Sequence, residues 1–196
     1  MTSPAATAAA EKAALRKHYM SLRNAIPPEE RAADSEETCA VLLSMILPRI
    51  RSAPVAVYSA KGAELDLSAF VCAARERGIP LLLPRWNSAC GGYEMAEWRK
   101  GAVLAPGKSG IPEPDAHAPV PPPESIGAFV VPGVAFTRNG ARLGYGGGWY
   151  DRMLALSPQA AKIGACFPCQ LAPELPCERH DWKMDAVATA GRGAAK

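Results

Sequence analysis

The glycine-rich segment between Arg142 and Arg152 holds the residue types that suit a phosphate group. Glycine occupies positions 144, 146, 147 and 148, and a helical pattern follows at once. Glycine lets a bulky anion come close to the backbone, and the free N–H groups at a helix start attract negative charge. The two arginines can add charge-assisted hydrogen bonds to phosphate oxygens. A flexible connection between a strand and a helix is the alternative, but the combination with charged and aromatic neighbours favours an anion site.

Five other residues have side chains that could contribute to the same site. Asp151 lies at the start of the helix, where its carboxylate could hold Mg²⁺ beside phosphate oxygens or simply face the helix dipole. Lys12 and Arg16 are four residues apart and therefore share one face of a helix, which by itself is typical of a solvated basic surface. Trp149 and Tyr150 could contact a ligand or lie in the core.

Acidic residues outside the glycine-rich segment form a second group of candidates. Glu64 follows a short apolar run that predicts a strand, and α/β folds bind ligands at strand ends. A solvated carboxylate is the alternative there. Asp181 could be a turn residue, and Asp185 could cap the strand that follows it. The three histidines show no partner pattern that indicates catalysis.

The elements that must position these residues alternate along the chain. Helical patterns cover 8–24, 67–77 and 150–156, and Pro27 and Pro28 open a further helix. A proline-rich loop covers 106–123. The Asn139-Gly140 pair predicts a tight turn. Alternation of strands and helices predicts an α/β fold with a largely parallel sheet. The strand candidates are 55–58, 79–83, 93–98, 128–131, 162–165 and 186–189.

Length, charge and hydropathy exclude several classes of function. A chain of 196 residues favours one domain, and a net charge of +3 is too weak and dispersed to indicate a nucleic-acid partner. It is compatible with an anionic small ligand in one basic cleft. The longest apolar run is far shorter than the roughly 20 residues that cross a bilayer, so we expect no membrane association. Six cysteines fit reduced thiols in a cytoplasmic protein better than a disulfide framework.

The run from Val131 to Arg152, VPGVAFTRNGARLGYGGGWYDR, closely resembles the signature of the 5-formyltetrahydrofolate cyclo-ligase family. Three further stretches resemble the family in the right order: 12–16 (KAALR), 110–114 (GIPEP) and 181–185 (DWKMD). The resemblance extends over about residues 10 to 190. Position 149 departs from the family pattern, because it is Trp where Tyr or Phe is usual.

The resemblance implies a single three-layer α/β/α domain over 8–192 with a mostly parallel sheet, after a disordered tail over 1–7. It also implies the ATP-dependent cyclisation of 5-formyltetrahydrofolate to 5,10-methenyltetrahydrofolate, with Mg²⁺ as cofactor and ATP as co-substrate. Both substrates are small molecules, and we expect the protein to act as a monomer.

The resemblance further assigns roles to individual residues. Arg142 and Tyr150 match catalytic residues, and Asp151 and Asp181 match the magnesium ligands. Glu64 matches an acid that binds the pterin side of the folate, and Ser59 matches a lesser substrate contact. The ATP contacts match Lys12, Arg16, Arg142, Leu143, Gly144, Tyr145, Gly146, Gly147, Gly148, Trp149 and Tyr150, and the substrate shares Tyr145, Gly146, Gly147, Gly148 and Trp149.

Three other interpretations compete with this one. Cys166, Cys169, Cys177 and His180 could form a zinc module, although their spacing is too short for the common double-knuckle pattern. Gly107-Lys108-Ser109 looks like the end of a P-loop, but the first glycine of that motif would fall on Ala102. A family member that binds folate without turnover is the third interpretation.

Overall fold

The structure, a computed structural model, describes residues 4–178 and 181–191, with side chains from residue 9 onward except that of Ser109. Pro28 starts the second helix with two acidic residues in its first turn, and Arg51, in the left-handed conformation, ends it. No helix in the described ranges is long and apolar enough to cross a bilayer. The α-helices are α1 Pro4–Asn24, α2 Pro28–Ile50, α3 Ser68–Glu76 and α4 Trp149–Leu156.

One six-stranded sheet, ordered β10-β9-β6-β1-β2-β3, forms the centre of the fold. Its neighbours pair in parallel except at the edge, where β3 runs antiparallel to β2. Two short antiparallel pairs, β4 with β5 and β7 with β8, lie outside that sheet. The strands are β1 Val55–Ala56, β2 Leu81–Asn87, β3 Gly92–Glu97, β4 Ala105–Pro106, β5 Pro112–Glu113, β6 Ala128–Val131, β7 Ala135–Phe136, β8 Arg142–Leu143, β9 Ala161–Ala165 and β10 Ala186–Ala188.

Both faces of the sheet are covered, which explains why its strands read as continuous apolar runs. In β6, Val130 packs with α2 and α3, whereas Phe129 and Val131 pack on the opposite face with Met153 and Leu154 of α4. The three-layer α/β/α arrangement with a mostly parallel sheet is therefore confirmed.

Several element bounds differ from the sequence-based expectations. Helix α1 begins at Pro4, so residues 4–7 are helical rather than part of a tail, and residues 1–3 lie outside the described ranges. Strand β2 continues to Asn87, because its antiparallel pairing with β3 carries it past Pro84. The proline-rich stretch contains the β4–β5 pair, whose short extended segments suit the fixed φ of proline.

The tight turn expected at Asn139-Gly140 is confirmed, and it joins β7 to β8. Gly140 has φ +90°, a conformation that L side chains rarely adopt. Its carbonyl accepts a hydrogen bond from the Met184 amide at 2.8 Å, and its amide donates to the Thr137 carbonyl at 3.0 Å. The turn therefore holds the C-terminal segment that carries Asp181 against the glycine-rich region.

We expect Gly140→Ala to lower the free energy of unfolding by about 3 kcal/mol, since positive φ and steric overlap act together. A Cβ at this position would lie 2.1 Å from the Met184 carbonyl oxygen. Gly62→Ala is the matched control, because Gly62 has φ +61° but no atom within 4 Å of an added Cβ. Urea unfolding measures both. Equal losses in the two variants would show that the close approach at Gly140 contributes nothing.

Candidate functional site

A cleft of about 430 Å³ lies where the chain leaves β1 and β6 at their carboxyl ends. Open parallel sheets place ligands at this edge. The structure brings every site residue expected from the sequence to the wall of this one cleft. Those residues are Lys12, Arg16, Ser59, Glu64, Arg142, Leu143, Gly144, Tyr145, Gly146, Gly147, Gly148, Trp149, Tyr150, Asp151 and Asp181.

Helix α1 supplies two cations to the cleft. Lys12 donates to a carboxylate oxygen of Glu178 at 2.8 Å and to one of Asp181 at 3.0 Å. Burial lowers the pKa of Lys12, but its bonds to those two carboxylates outweigh that effect and hold the pKa above the ordinary value. Lys12 is therefore an ammonium at neutral pH. Arg16 Nε donates to the Gly144 carbonyl at 2.8 Å, which fixes α1 against the glycine-rich loop.

The glycine-rich loop runs directly into helix α4, as expected. Gly148 precedes the helix with φ +63°, a left-handed conformation that glycine adopts without strain. Arg152 Nη2 donates to the Gly147 carbonyl at 2.9 Å, so both ends of the loop are held by arginine side chains. Leu143, which also lines the cleft, is buried in a core cluster.

Arg142 and Asp151 form an ion pair in the wall of the cleft. Arg142 Nη2 donates to both carboxylate oxygens of Asp151, at 3.0 and 3.1 Å, and the Arg142 side chain is only 6% exposed. Asp151 also accepts from the Trp182 amide at 3.4 Å, which places it beside the segment of Asp181. The Arg142 guanidinium lies 5.7 Å from the Tyr150 ring centre.

The tyrosines of the loop are held as neutral phenols. Tyr145 is 47% exposed, yet partial burial and the neighbouring Glu64 carboxylate raise its pKa. Burial and the same carboxylate also raise the pKa of Tyr150. The Tyr145 hydroxyl donates to Glu64 Oε1 and accepts from Arg23 Nη1, the latter at 2.6 Å. The other Glu64 oxygen accepts from the Lys61 amide at 2.9 Å.

Trp149 belongs to an aromatic group at one wall of the cleft. Its ring meets those of Trp86 and Tyr93 edge to face, with centroid distances of 5.3 and 5.5 Å. The Arg152 guanidinium lies 4.2 Å from the Trp149 ring centre, and Lys108 Nζ lies 3.0 Å from that of Trp86. Such pairs fix ring orientation, so Trp149 presents a defined surface to a ligand.

A further set of residues lines the cleft, although the sequence predicted no site role for them. Most come from separate strands and loops that meet only in the folded chain, whereas Ile111 lies in the 110–114 stretch and Pro132 in the 131–152 run. For Tyr93 there was a partial indication in the sequence, because the alternation of apolar and polar residues along β3 predicted that one face of this strand is buried. The missed residues are Tyr58, Lys61, Pro84, Tyr93, Ile111, Pro132, Met153 and Glu178.

The two expected magnesium ligands, Asp151 and Asp181, line the cleft together. Magnesium in enzymes is commonly held by one or two carboxylates plus substrate phosphates and water. The donor set therefore fits a magnesium ion that arrives with a nucleotide. Within the described ranges, no group of three or more His, Cys, Asp or Glu side chains could hold a metal ion by itself.

Two competing interpretations concern other parts of the chain. Lys108–Gly110 forms a single 3₁₀ turn between β4 and β5, whereas a P-loop opens an α-helix, so the P-loop interpretation is wrong. Of the zinc candidates, Cys166 is buried and Cys177 is exposed, while His180 lies outside the described residues. Burial raises the pKa of Cys166 to about 12, which opposes the thiolate form that binds zinc.

Comparison with known proteins places this geometry in a family. The model of the 5-formyltetrahydrofolate cyclo-ligase family matches residues 8–190. A 5-formyltetrahydrofolate cyclo-ligase from Mycolicibacterium smegmatis is 31% identical over 93% of this chain and 95% of its own length. One of the same name from Escherichia coli is 27% identical over 87% of this chain and 95% of its own length.

Two solved structures are similar to this chain over most of its length. The NMR structure of 5,10-methenyltetrahydrofolate synthetase from Aquifex aeolicus matches with a TM-score of 0.79 and 30% identity, over 91% of each chain. A 5,10-methenyltetrahydrofolate synthetase from Mycoplasma pneumoniae matches with a TM-score of 0.72 over 91% of this chain and 98% of its own. At 23% identity, the second match supports the fold alone.

Proposed function

The chain belongs to the 5-formyltetrahydrofolate cyclo-ligase family, and we propose that it cyclises 5-formyltetrahydrofolate to 5,10-methenyltetrahydrofolate at the expense of ATP. One observation carries the proposal: two cations of α1, the glycine-rich loop and Glu64 all line a single cleft. That cleft offers a phosphate-binding half and a carboxylate that can pair with the hydrogen-bond donors of a pterin. We also propose that the protein acts as a monomer in the cytoplasm.

The reaction needs ATP because oxide is a very poor leaving group from a formamide. The formyl oxygen on N5 attacks the γ-phosphorus, and the bond from that phosphorus to the bridging oxygen breaks to release ADP. N10 then attacks the activated formyl carbon, its proton leaves, and the carbon–oxygen bond breaks to release phosphate. The chemistry requires no protein nucleophile, so the enzyme contributes alignment, charge stabilisation and exclusion of water.

The residues of the cleft divide that work between them. Lys12 and Arg16 contact the phosphates from α1, and the amides of Gly146, Gly147 and Gly148 contact them from the loop. Arg142 stabilises the charge that develops during transfer, and Tyr150, a neutral phenol, donates a hydrogen bond. The other expected contacts are the backbone of Leu143 and Gly144 for the nucleotide, Ser59 for the folate, and the rings of Tyr145 and Trp149 for both.

The charge balance of the cleft supports a role for magnesium. Among the described residues, four cationic and four acidic side chains line it, so the described part of its wall is balanced in charge rather than basic. A triphosphate adds several negative charges that these cations, already paired in part, do not offset. Asp151 and Asp181 would hold a magnesium ion that neutralises phosphate charge. The cations are Lys12, Arg16, Lys61 and Arg142, and the acids are Glu64, Asp151, Glu178 and Asp181.

The activity is tested by mixing the purified protein with 5-formyltetrahydrofolate, ATP and MgCl₂ and recording the absorbance of the methenyl product. We expect one ADP for each methenyl group formed, and no product when ATP is omitted. A Lys12→Met and Arg16→Met double variant serves as the negative control. Binding of 5-formyltetrahydrofolate without product or ADP would replace the proposed enzyme with a folate-binding protein.

Glu64→Gln should raise the KM for 5-formyltetrahydrofolate about 10²-fold, since it replaces charge-assisted hydrogen bonds and turns an amide donor toward the donors of the pterin. The KM for ATP should stay within about twofold, because the phosphate half of the cleft is unchanged. Initial rates at varied folate and varied ATP measure both constants. A similar rise in both would contradict a folate-specific role for Glu64.

A further inference from the structure

Arg23, in the last turn of α1, is a charged residue that the phosphate contacts do not use. It is 5% exposed, although exposed residues flank it on the same helix. Burial of a guanidinium has a high desolvation cost, so such groups are kept buried only where they make strong hydrogen bonds. Arg23 Nη1 donates to the Tyr145 hydroxyl at 2.6 Å, whereas its buried Nε has no hydrogen-bond partner among the described residues. Arg23 therefore reaches from α1 into the glycine-rich loop.

The direction of this hydrogen-bond chain is fixed by chemistry. Arginine carries donors and no acceptor, so the Tyr145 oxygen must accept from Arg23. Its own hydrogen is then free to point at Glu64 Oε1, the next contact in the chain. The Arg23 guanidinium also lies 5.8 Å from the Tyr145 ring centre, which limits the positions of that ring. The result is an ordered chain from guanidinium to phenol to carboxylate.

The far end of the chain is fixed as well. The second Glu64 oxygen accepts from the Lys61 amide at 2.9 Å, so each carboxylate oxygen has one partner and keeps capacity for another. The Tyr58 hydroxyl donates to the Leu65 carbonyl at 2.9 Å and holds the same loop to β1. Among the described residues, the Tyr145 hydroxyl connects the Glu64 carboxylate to α1, because it also accepts from Arg23.

We propose that Arg23 is a positioning residue for the folate substrate, acting through Tyr145 to orient the Glu64 carboxylate. The inference rests on the proposed function, in which Glu64 binds the pterin. It adds a physical link between the helix that contacts ATP and the residue that contacts folate. Loss of the link frees Glu64 to take other orientations and weakens folate binding, while Lys12 and Arg16, earlier on α1, keep their phosphate contacts.

The test measures folate binding in three variants. Arg23→Met and Tyr145→Phe should each weaken equilibrium binding of 5-formyltetrahydrofolate about tenfold, the effect of one lost charge-assisted bond. The double variant should be no weaker than either single variant, because both changes break the same chain. Arg23→Lys, which keeps a donor, should recover part of the affinity. Calorimetric titration without ATP gives these constants independently of turnover.

Controls separate positioning from mere stability. Lys17→Met, at an exposed position on the same helix, should leave folate affinity unchanged. The KM for ATP should stay within about twofold in every variant. Tyr145→Phe keeps the ring and removes only the hydroxyl, so it remains informative even if Arg23→Met folds poorly. Wild-type affinity in Tyr145→Phe, or additive losses in the double variant, would overturn the inference. An inactive wild-type protein would instead refute the proposed function.

Discussion

Lys12→Met should lower kcat about 10³-fold, because removal of a cation that stabilises transferring phosphate costs this much in phosphoryl transfer. Lys12 is the cation of α1 that two carboxylates hold at the cleft, and its raised pKa keeps it charged at neutral pH. Methionine preserves the length and packing of the side chain without the charge. Turnover at saturating ATP and folate measures the effect.

Two comparisons isolate the charge of Lys12. Lys17→Met removes a lysine from an exposed position of the same helix and should keep wild-type turnover. Arg16→Met should reproduce the loss, since Arg16 lines the cleft one helical turn later. Near-normal turnover in both cleft variants would show that α1 contributes no cation to phosphate binding. The anchoring of Arg16 to the Gly144 carbonyl would then be a structural contact only.

Asp151→Asn should also lower kcat about 10³-fold, for two physical reasons that add. The substitution weakens the charge-assisted pairing that orients Arg142, whose Nη2 donates to both oxygens of this carboxylate. It also removes an anionic oxygen ligand from the proposed magnesium site. Turnover at increasing magnesium concentration measures both consequences.

The dependence on magnesium distinguishes the two roles of Asp151. If the carboxylate holds the ion, Asp151→Asn needs a higher magnesium concentration for half-maximal rate, whereas Arg142→Lys lowers the rate at an unchanged requirement. Asp115→Asn, in an exposed loop, is the matched control for loss of a surface carboxylate. An unchanged magnesium requirement in Asp151→Asn would limit this residue to the positioning of Arg142.

The buried layers of the fold could be predicted from sequence because their signals are local. Apolar runs such as 128–131 indicated strands, and the proline pair at 27–28 indicated a helix start. The β4–β5 pair and the extension of β2 to Asn87 could not be predicted in the same way. Both depend on pairing with another strand, which overrides the local tendency of proline and polar residues to end a strand.

The candidate site likewise has a part that could be predicted from local sequence and a part that could not. The glycine-rich loop is continuous in sequence, so spacing alone indicated its chemistry. Arg23 lies 122 positions from Tyr145 and has the appearance of an ordinary basic residue of a surface helix. The aromatic wall is similar, because Trp86 and Tyr93 meet Trp149 only after β2 and β3 pair. Long-range contacts of this kind are set by topology.

The cleft joins segments from both ends of the described chain. Lys12 near the start bonds to Glu178 and Asp181 near the end, and Arg16 bonds to the loop between them. Gly140 adds another contact, because its carbonyl accepts a hydrogen bond from the Met184 amide. The proposed phosphate half of the site therefore forms only when α1 docks, and substitutions that loosen this docking should reduce activity before they unfold the sheet.

A crystal structure with a non-hydrolysable ATP analogue, magnesium and 5-formyltetrahydrofolate tests the central claim most directly. Density for the triphosphate should lie between the α1 cations and the amides of residues 146–148, with the pterin against Glu64. A nucleotide bound elsewhere, or a folate whose formyl group faces away from the γ-phosphate, would contradict the account.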